Sequence, residues 1–153
     1  MWELFTYPRS HVYVFNKRQV TQPKSLIVLH AQCIPTFRNS FWSEGEMQKN
    51  CLQQSREYLS ILERELKGKK FFGGDAIGLL DIAASYIAHW VGVFQEVAEV
   101  NLFNKENHPI LWKWSQEFIN SNGVKKCLPA REKLVTFFQP RKAAMKAYVK
   151  PAV

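Results

Sequence analysis

The chain has 153 residues, of which 46% are apolar and 14% aromatic, and it carries a formal net charge of +8. This length and composition indicate one compact globular domain with its own hydrophobic core, and the chain is too short for two. The three cysteines, Cys33, Cys51 and Cys127, lie far apart and form no CxxC pair, which argues against a disulfide scaffold or a zinc site. We therefore expect three thiols, no metal and a reducing compartment.

The positive charge is unevenly distributed. Residues 1–31 carry four basic side chains and one acidic, residues 125–153 carry eight and one, and the middle of the chain carries nine and eleven. A basic terminus is usually solvated, whereas a nucleic-acid surface mixes basic and aromatic side chains across the folded body. The distribution argues against a nucleic-acid partner, whose signature would be an affinity that falls steeply with salt.

The sequence predicts neither a targeting segment nor a membrane span. Basic side chains and a histidine interrupt the apolar residues of the first twenty positions, so these positions do not resemble a secretory signal. The longest apolar region, residues 77–97, contains Asp81, His89, Gln95 and Glu96, which suits the central helix of a globular core better than a membrane. We expect a cytoplasmic protein.

In chain order, the first thirty residues show neither alternation nor a helical stripe, and the sequence predicts an irregular segment there. A first helical piece is predicted around Thr36 to Trp42. The next helix is predicted from Glu46 to Lys67, where four leucines at helical spacing form one apolar face, and it ends at Gly68.

The stretch FFGGDAIGLLDIAAS, residues 71–85, predicts the start of the central helix. With Gly78 as the N-cap, Asp81 falls at the third helical position, where its carboxylate can accept a hydrogen bond from the Gly78 N–H. Ile77 and Ile82 occupy the two positions of a hydrophobic staple. The apolar residues that follow cover almost every direction around the helix axis, so we expect a helix that is enclosed on most sides.

Two further helices complete the prediction. Pro109 suits a first helical turn, and Leu111, Trp114 and Phe118 continue as an apolar stripe. After Pro129, the run AREKLVTFF predicts a last short helix, followed from Pro140 by a polar, basic tail. No stretch predicts a strand ladder, so we predict an all-α bundle.

Several separated motifs now carry a resemblance. The runs FWSEGE, ELKGKKFFGGDAIGLLDIA, HPILWKWSQEF and KKCLPAREKLVTFF, in this order, resemble the C-terminal helical domain of plant tau-class glutathione S-transferases. The resemblance implies a helical bundle around a buried central helix over residues 31–139, with residues 1–30 unlike the family and residues 140–153 as a basic tail. It also implies that the stretch from Gly74 to Asp81 serves folding and binds nothing itself.

The family's parent reaction is the conjugation of glutathione to hydrophobic electrophiles in detoxification. In the complete enzymes an N-terminal thioredoxin-like domain binds glutathione and supplies a catalytic serine. The first thirty residues do not resemble that domain, and Ser10, Ser25 and Ser40 match none of its motifs. We therefore expect a truncated chain with no catalytic residue of its own, inactive by itself, and no cofactor, since glutathione is a co-substrate.

The helical domain of this family supplies most of the electrophile pocket, and the resemblance places Phe41, Trp42, Trp90 and Phe137 in its wall. From periodicity alone, Trp90 and Phe137 would be ordinary core residues. The expected partners are hydrophobic small molecules and, as a homo- or hetero-dimer, a transferase subunit.

Three functions remain open at this point. The chain is a member of the transferase family, a non-catalytic helical module that binds hydrophobic ligands or pairs with an intact subunit, or a basic nucleic-acid binder. Because the absent domain would normally cover the first and central helices, we also expect their apolar side chains to promote association.

Overall fold

The computed structural model describes the backbone of residues 23–149 and the side chains of residues 33–149. Within this range the secondary structure is helical, with a single isolated bridge between Phe71 and Gly74 and no strand. The all-α prediction is confirmed. The elements are α1 (Pro23–Trp42), α2 (Gly45–Glu65), α3 (Leu79–Ala83), a π-helical turn (Tyr86–Trp90), α4 (Val91–Ala98), α5 (Pro109–Asn120), α6 (Asn122–Lys125), α7 (Arg131–Phe138), a 3₁₀ turn (Gln139–Arg141) and α8 (Lys142–Val149).

Helix α1 is longer than the sequence predicts, because it begins at Pro23 and continues through Pro35. A proline normally ends or kinks a helix, but α1 continues through Pro35 and so begins before the piece predicted around Thr36 to Trp42. The expected boundary at residue 31 therefore lies inside α1, while the prediction for residues 1–22 falls outside the described part. Helix α1 packs along α2, and the two are joined by buried hydroxyls of Ser40 and Ser55, whose Oγ atoms lie 2.9 Å apart.

The central helix consists of α3, the π-helical turn and α4, and we call these elements together the core helix. Its buried side chains include Ile87, Val91 and Val97. Its first turn differs from the prediction of an enclosed helix, since Leu79 and Ile82 are 70% and 59% exposed. In the described part of the chain, no element covers this face.

Helix α5 is fixed at its start by a side chain of α2. The carboxylate of Glu63 accepts hydrogen bonds from the backbone N–H groups of Ile110 and Leu111, at 2.9 and 2.7 Å. These donors have no partner within α5, because the first turn of a helix leaves its N–H groups free. A carboxylate also interacts favourably with the helix dipole at this end, so Glu63 stabilises α5 and ties it to α2.

The C-terminal residues fold onto the bundle. Arg131 of α7 pairs with Glu96 of α4. Lys142 and Lys146 of α8 pair with Glu99 and Glu44, both at 3.0 Å. The stretch predicted to be a solvated basic tail is instead helical over residues 142–149, where Met145 and Val149 pack against the core and the lysines pair with acidic side chains of the domain.

None of the helices described is both long enough and apolar enough to cross a lipid bilayer.

Candidate functional site

Six aromatic side chains from α1, the core helix and α7 form one continuous group, which we call the aromatic cluster. Phe94 lies at its centre, and its ring centroid is 5.2 to 6.2 Å from the five others. Aromatic rings at such distances in tilted and edge-to-face arrangements attract each other beyond their buried area. The members are Phe41, Trp42, Tyr86, Trp90, Phe94 and Phe138.

Three of the four residues that the resemblance assigned to a pocket belong to this cluster. Phe41 and Trp42 are fully buried, whereas Trp90 is partly exposed and forms part of the cluster's surface. Phe137 is 51% exposed, and its ring packs on Phe138 at 5.1 Å between ring centroids. The guanidinium of Arg141 lies 3.8 Å from the centroid of the Phe137 ring, as in a cation–π contact.

Sequence reasoning gave Phe94 and Phe138 no place in the site. Phe94 lies four residues after Trp90, so a helical spacing already links them. Phe138 and Phe137 are neighbours, and one residue along a helix turns a side chain by roughly 100° about the axis. Only the packing of α7 on α4 decides which of these two phenylalanines faces inward.

The buried carboxylate of Asp81 accepts four hydrogen bonds. Its Oδ2 binds the backbone N–H groups of Gly78 and Gly73, at 2.8 and 3.0 Å. Its Oδ1 binds the backbone N–H of Phe72 at 2.9 Å and the indole N–H of Trp114 at 2.7 Å. A carboxylate has about four lone-pair positions, so Asp81 has no acceptor left for a substrate or a proton transfer.

The local geometry around Asp81 is that of a helix start. Gly78 is the N-cap of α3 and Asp81 its third residue, while Ile77 is half-buried and Ile82 exposed. Gly73 packs so tightly here that a Cβ atom would lie 2.6 Å from the carbonyl oxygen of Ala76. The Asp81 network thus joins the loop before α3 to the core helix and to α5.

Burial favours the neutral form of three titratable side chains near these elements. Burial lowers the pKa of His89, although the Pro129 carbonyl accepts a hydrogen bond from the ring and partly opposes this. Burial also lowers the pKa of His108, against a smaller opposite effect of Glu63. Burial raises the pKa of the Cys33 thiol far above its usual range, so this sulfur stays protonated.

Among the residues whose side chains are described, no group of three or more histidine, cysteine or acidic residues could hold a metal ion. The hydroxyl of Ser40, a serine considered from the sequence, is buried between the Thr36 carbonyl, at 2.9 Å, and Ser55. A hydroxyl in this position has no access to a thiol in solution.

Residues 22–122 match the family model described as glutathione S-transferase, C-terminal domain. The match covers more than half of the chain, and the chain therefore belongs to this family.

Plant proteins are among its curated relatives. It is 49% identical over 104 residues to a probable glutathione S-transferase of Glycine max, covering 68% of this chain and 46% of the relative. It is 40% identical over 98 residues to glutathione S-transferase U8 of Arabidopsis thaliana, covering 64% and 44%. The chain spans about half the length of these curated relatives.

A solved structure of this family agrees with the fold described above. The tau-class glutathione S-transferase of mango, Mangifera indica, superposes with a TM-score of 0.66 and 29% identity, over 78% of this chain and 60% of that one. The predicted resemblance to the C-terminal helical domain of plant tau-class transferases is confirmed.

Proposed function

We propose that this chain forms the electrophile-binding half of a tau-class glutathione transferase and acts in the cytoplasm. The reaction is the attack of the glutathione thiolate on an electrophilic carbon of a hydrophobic compound, which makes the compound soluble for removal. Family membership over residues 22–122 supports this assignment. The three thiols of the described part fit a reducing compartment.

The aromatic cluster is the observation that carries the proposal. Flat hydrophobic electrophiles bury much apolar area against aromatic rings while keeping some freedom of orientation. In this proposal the exposed part of Trp90 contacts the electrophile, Phe41 and Trp42 support it from behind, and Phe137 forms the outer edge beside Arg141.

The chemical step requires a group that stabilises the glutathione thiolate. Among the described residues, the Ser40 hydroxyl and the Cys33 thiol are buried, and burial favours the neutral forms of His89 and His108. We therefore propose that this chain supplies no catalytic residue and that the glutathione site belongs to a thioredoxin-like half.

The exposed first turn of the core helix supports a protein partner. Leu79 and Ile82 lie three residues apart on one face of α3, and such exposed apolar neighbours are typical of a surface that another protein covers. We propose that a transferase subunit, in a homo- or hetero-dimer, packs on this face.

Equilibrium dialysis of chlorodinitrobenzene, a generic aromatic electrophile, against the purified chain tests the pocket. Trp90→Ala should weaken binding about tenfold, since an aromatic contact and the area that it buries are lost. Trp112→Ala is the matched control, because Trp112 packs on Phe103 outside the cluster, at 5.4 Å between centroids. Equal losses in both variants would contradict a pocket at the aromatic cluster.

Glutathione conjugation of the same electrophile tests the division of roles. The chain alone should give no turnover above the uncatalysed rate, and a measurable rate would overturn the claim that it lacks a thiol-activating residue. Binding without turnover would favour the second candidate, a non-catalytic helical module for hydrophobic ligands, if no transferase subunit restores activity.

Size-exclusion chromatography with light scattering tests the partner face. The chain should associate, and a double variant Leu79→Gln, Ile82→Gln should shift it towards the monomer. Met47→Gln is the control, because Met47 is an exposed apolar side chain on α2 and lies outside this face. A monodisperse monomer of the unchanged chain would refute the partner surface.

A further inference from the structure

The short connection between α5 and α7 contains an asparagine that is followed by a glycine. Asn122 and Gly123 are the first two residues of α6, a helix of a single turn, and both are exposed. Of all the asparagines in the chain, Asn122 alone precedes a glycine. Asparagine is a chemically labile residue, and a following glycine leaves the main-chain nitrogen accessible to it, because glycine has no Cβ.

The main-chain nitrogen of Gly123 is not held by a hydrogen bond within the described part of the chain. Ser121 has the extended backbone of an N-cap residue, but its hydroxyl donates to the Phe118 carbonyl at 2.8 Å and makes no capping bond to α6. Among the backbone hydrogen bonds of the described residues, none has the Gly123 N–H as its donor. The first N–H groups of a helix have no partner within the helix, so this nitrogen is free to react.

The Asn122 side chain is also unrestrained, in contrast to other asparagines. It is exposed and makes no hydrogen bond to a described residue. The Asn120 amide donates to the Gln116 carbonyl at 2.8 Å, and the Asn104 amide donates to the Asn101 side chain at 2.9 Å. The combination of a free amide and a free neighbouring nitrogen therefore distinguishes Asn122.

Helix α6 opens at little cost. Its turn is closed by the hydrogen bond from the Lys125 N–H to the Ser121 carbonyl, at 2.9 Å. A helix of one turn is marginal by itself, because few hydrogen bonds compensate the ordering of its backbone. Local opening of such segments requires much less free energy than global unfolding. The open form lets the Gly123 nitrogen approach the Asn122 side chain.

We propose that Asn122 is a self-modification site, at which the chain slowly converts its own asparagine to aspartate and isoaspartate. In the open form of α6, the Gly123 nitrogen loses its proton and attacks Cγ of Asn122. The bond from Cγ to Nδ2 breaks, and ammonia leaves with the proton, so that a cyclic succinimide remains. This proposal does not depend on the transferase function, since no residue of the aromatic cluster takes part.

Water opens the succinimide at one of its two carbonyl carbons. Cleavage at Cγ gives aspartate, whereas cleavage at the main-chain carbonyl gives isoaspartate, in which the main chain runs through the side chain. Isoaspartate adds a methylene between Ser121 and Lys125, so their hydrogen bond cannot form as before. Both products replace a neutral amide by a carboxylate, and the older molecules therefore carry one positive charge less.

Peptide mass spectrometry tests the proposal after the purified chain has been incubated at neutral pH below its melting transition. The residue Asn122 should gain the mass difference between NH₂ and OH, with both aspartate and isoaspartate among the products. Fragment ions distinguish this residue from Asn120. Asn104 and Asn120 should stay unchanged over the same time, because their amides are held and larger residues follow them.

The variant Gly123→Ala should slow the conversion about tenfold, since the methyl group hinders the attack and favours the helical turn. Alanine fits this position, because a Cβ would meet no atom within 4 Å. The variant Ser121→Asp should slow it about threefold, because a carboxylate at the N-cap holds the first turn closed. Asn120→Asp is the matched control, since it adds the same charge one residue earlier, and its rate should stay within about twofold.

Four results would overturn the proposal. They are no conversion of Asn122, aspartate without isoaspartate, an unchanged rate in Gly123→Ala, and equal slowing by the two aspartate variants. Aspartate alone would mean that water attacks the amide directly, without a ring. If a variant fails to fold, the products at Asn122 in the unchanged chain and the persistence of Asn104 still decide.

Discussion

Replacing Asp81 by asparagine should strongly destabilise the domain while leaving its shape unchanged. The carboxylate accepts four hydrogen bonds, two on each oxygen. In the asparagine variant one oxygen remains and still accepts two hydrogen bonds. The other oxygen is replaced by an NH₂ group, whose two N–H donors then face two N–H donors of the protein. A buried donor without a partner costs about 1–3 kcal/mol, so the variant should lose about 2–6 kcal/mol.

A loss of this size is large compared with the total stability of a domain, which is about 5–15 kcal/mol. Urea unfolding followed by circular dichroism measures it, as a lower midpoint at an unchanged slope. Asp75→Asn is the control, because Asp75 is an exposed carboxylate of the same loop and its change should stay within about 0.5 kcal/mol.

A double-mutant cycle between Asp81→Asn and Trp114→Phe then isolates the bond across the fold. Residues that share a buried hydrogen bond should show a coupling of about 0.5–3 kcal/mol, whereas independent residues add. A stability of Asp81→Asn equal to that of the unchanged protein would refute the role that we assign to this network. Additive losses in the cycle would refute the indole contact alone.

Three further predictions concern stability. Gly73→Ala should destabilise the protein by more than about 1 kcal/mol, since its Cβ would meet backbone atoms. Gly92→Ala should stabilise the protein by about 0.5–1 kcal/mol, because there is open space around this residue of α4. Equal effects of the two substitutions would refute the packing argument. Glu63→Gln should lower the free energy of unfolding by about 1 kcal/mol, because the charge at the start of α5 is lost. Urea unfolding measures this as a lower midpoint, and an unchanged midpoint would contradict it. His89 and His108 have pKa values below their usual value of 6.5, so the unfolded chain binds their protons more readily. Stability from these residues is therefore complete above about pH 6.5 and falls as the pH drops below it. The melting temperature should decrease on acidification, and it should decrease less in the double variant His89→Gln, His108→Gln. If the melting temperatures of the two proteins depend on pH in the same way, these histidines do not cause the loss of stability.

Much of the fold could be predicted because its signals are local. The stripe of leucines in α2 and the start of α3 at Gly78 depend on residues three or four positions apart, so sequence spacing alone indicates them. The hydrogen bond between the Asp81 carboxylate and the Gly78 N–H is one of these local features.

Other features required the packed structure. Local rules placed the start of the first helix at Thr36, yet α1 runs through Pro35, because contacts with the rest of the bundle outweigh the local cost of a proline. The basic tail was expected to be solvated, yet residues 142–149 lie against the domain, because Met145 and Val149 pack on its core and Glu99 and Glu44 pair with the lysines.

The sequence by itself therefore determined the helical class, the family and the start of the core helix, since each depends on residues that are near in sequence or on motifs in a fixed order. The tertiary structure alone decided that Asp81 holds Trp114, that Phe138 rather than Phe137 faces the aromatic cluster, and that Glu63 of α2 holds the start of α5. These depend on how the helices are rotated against each other, which is set by the packing of the whole core and by no single stretch of the chain.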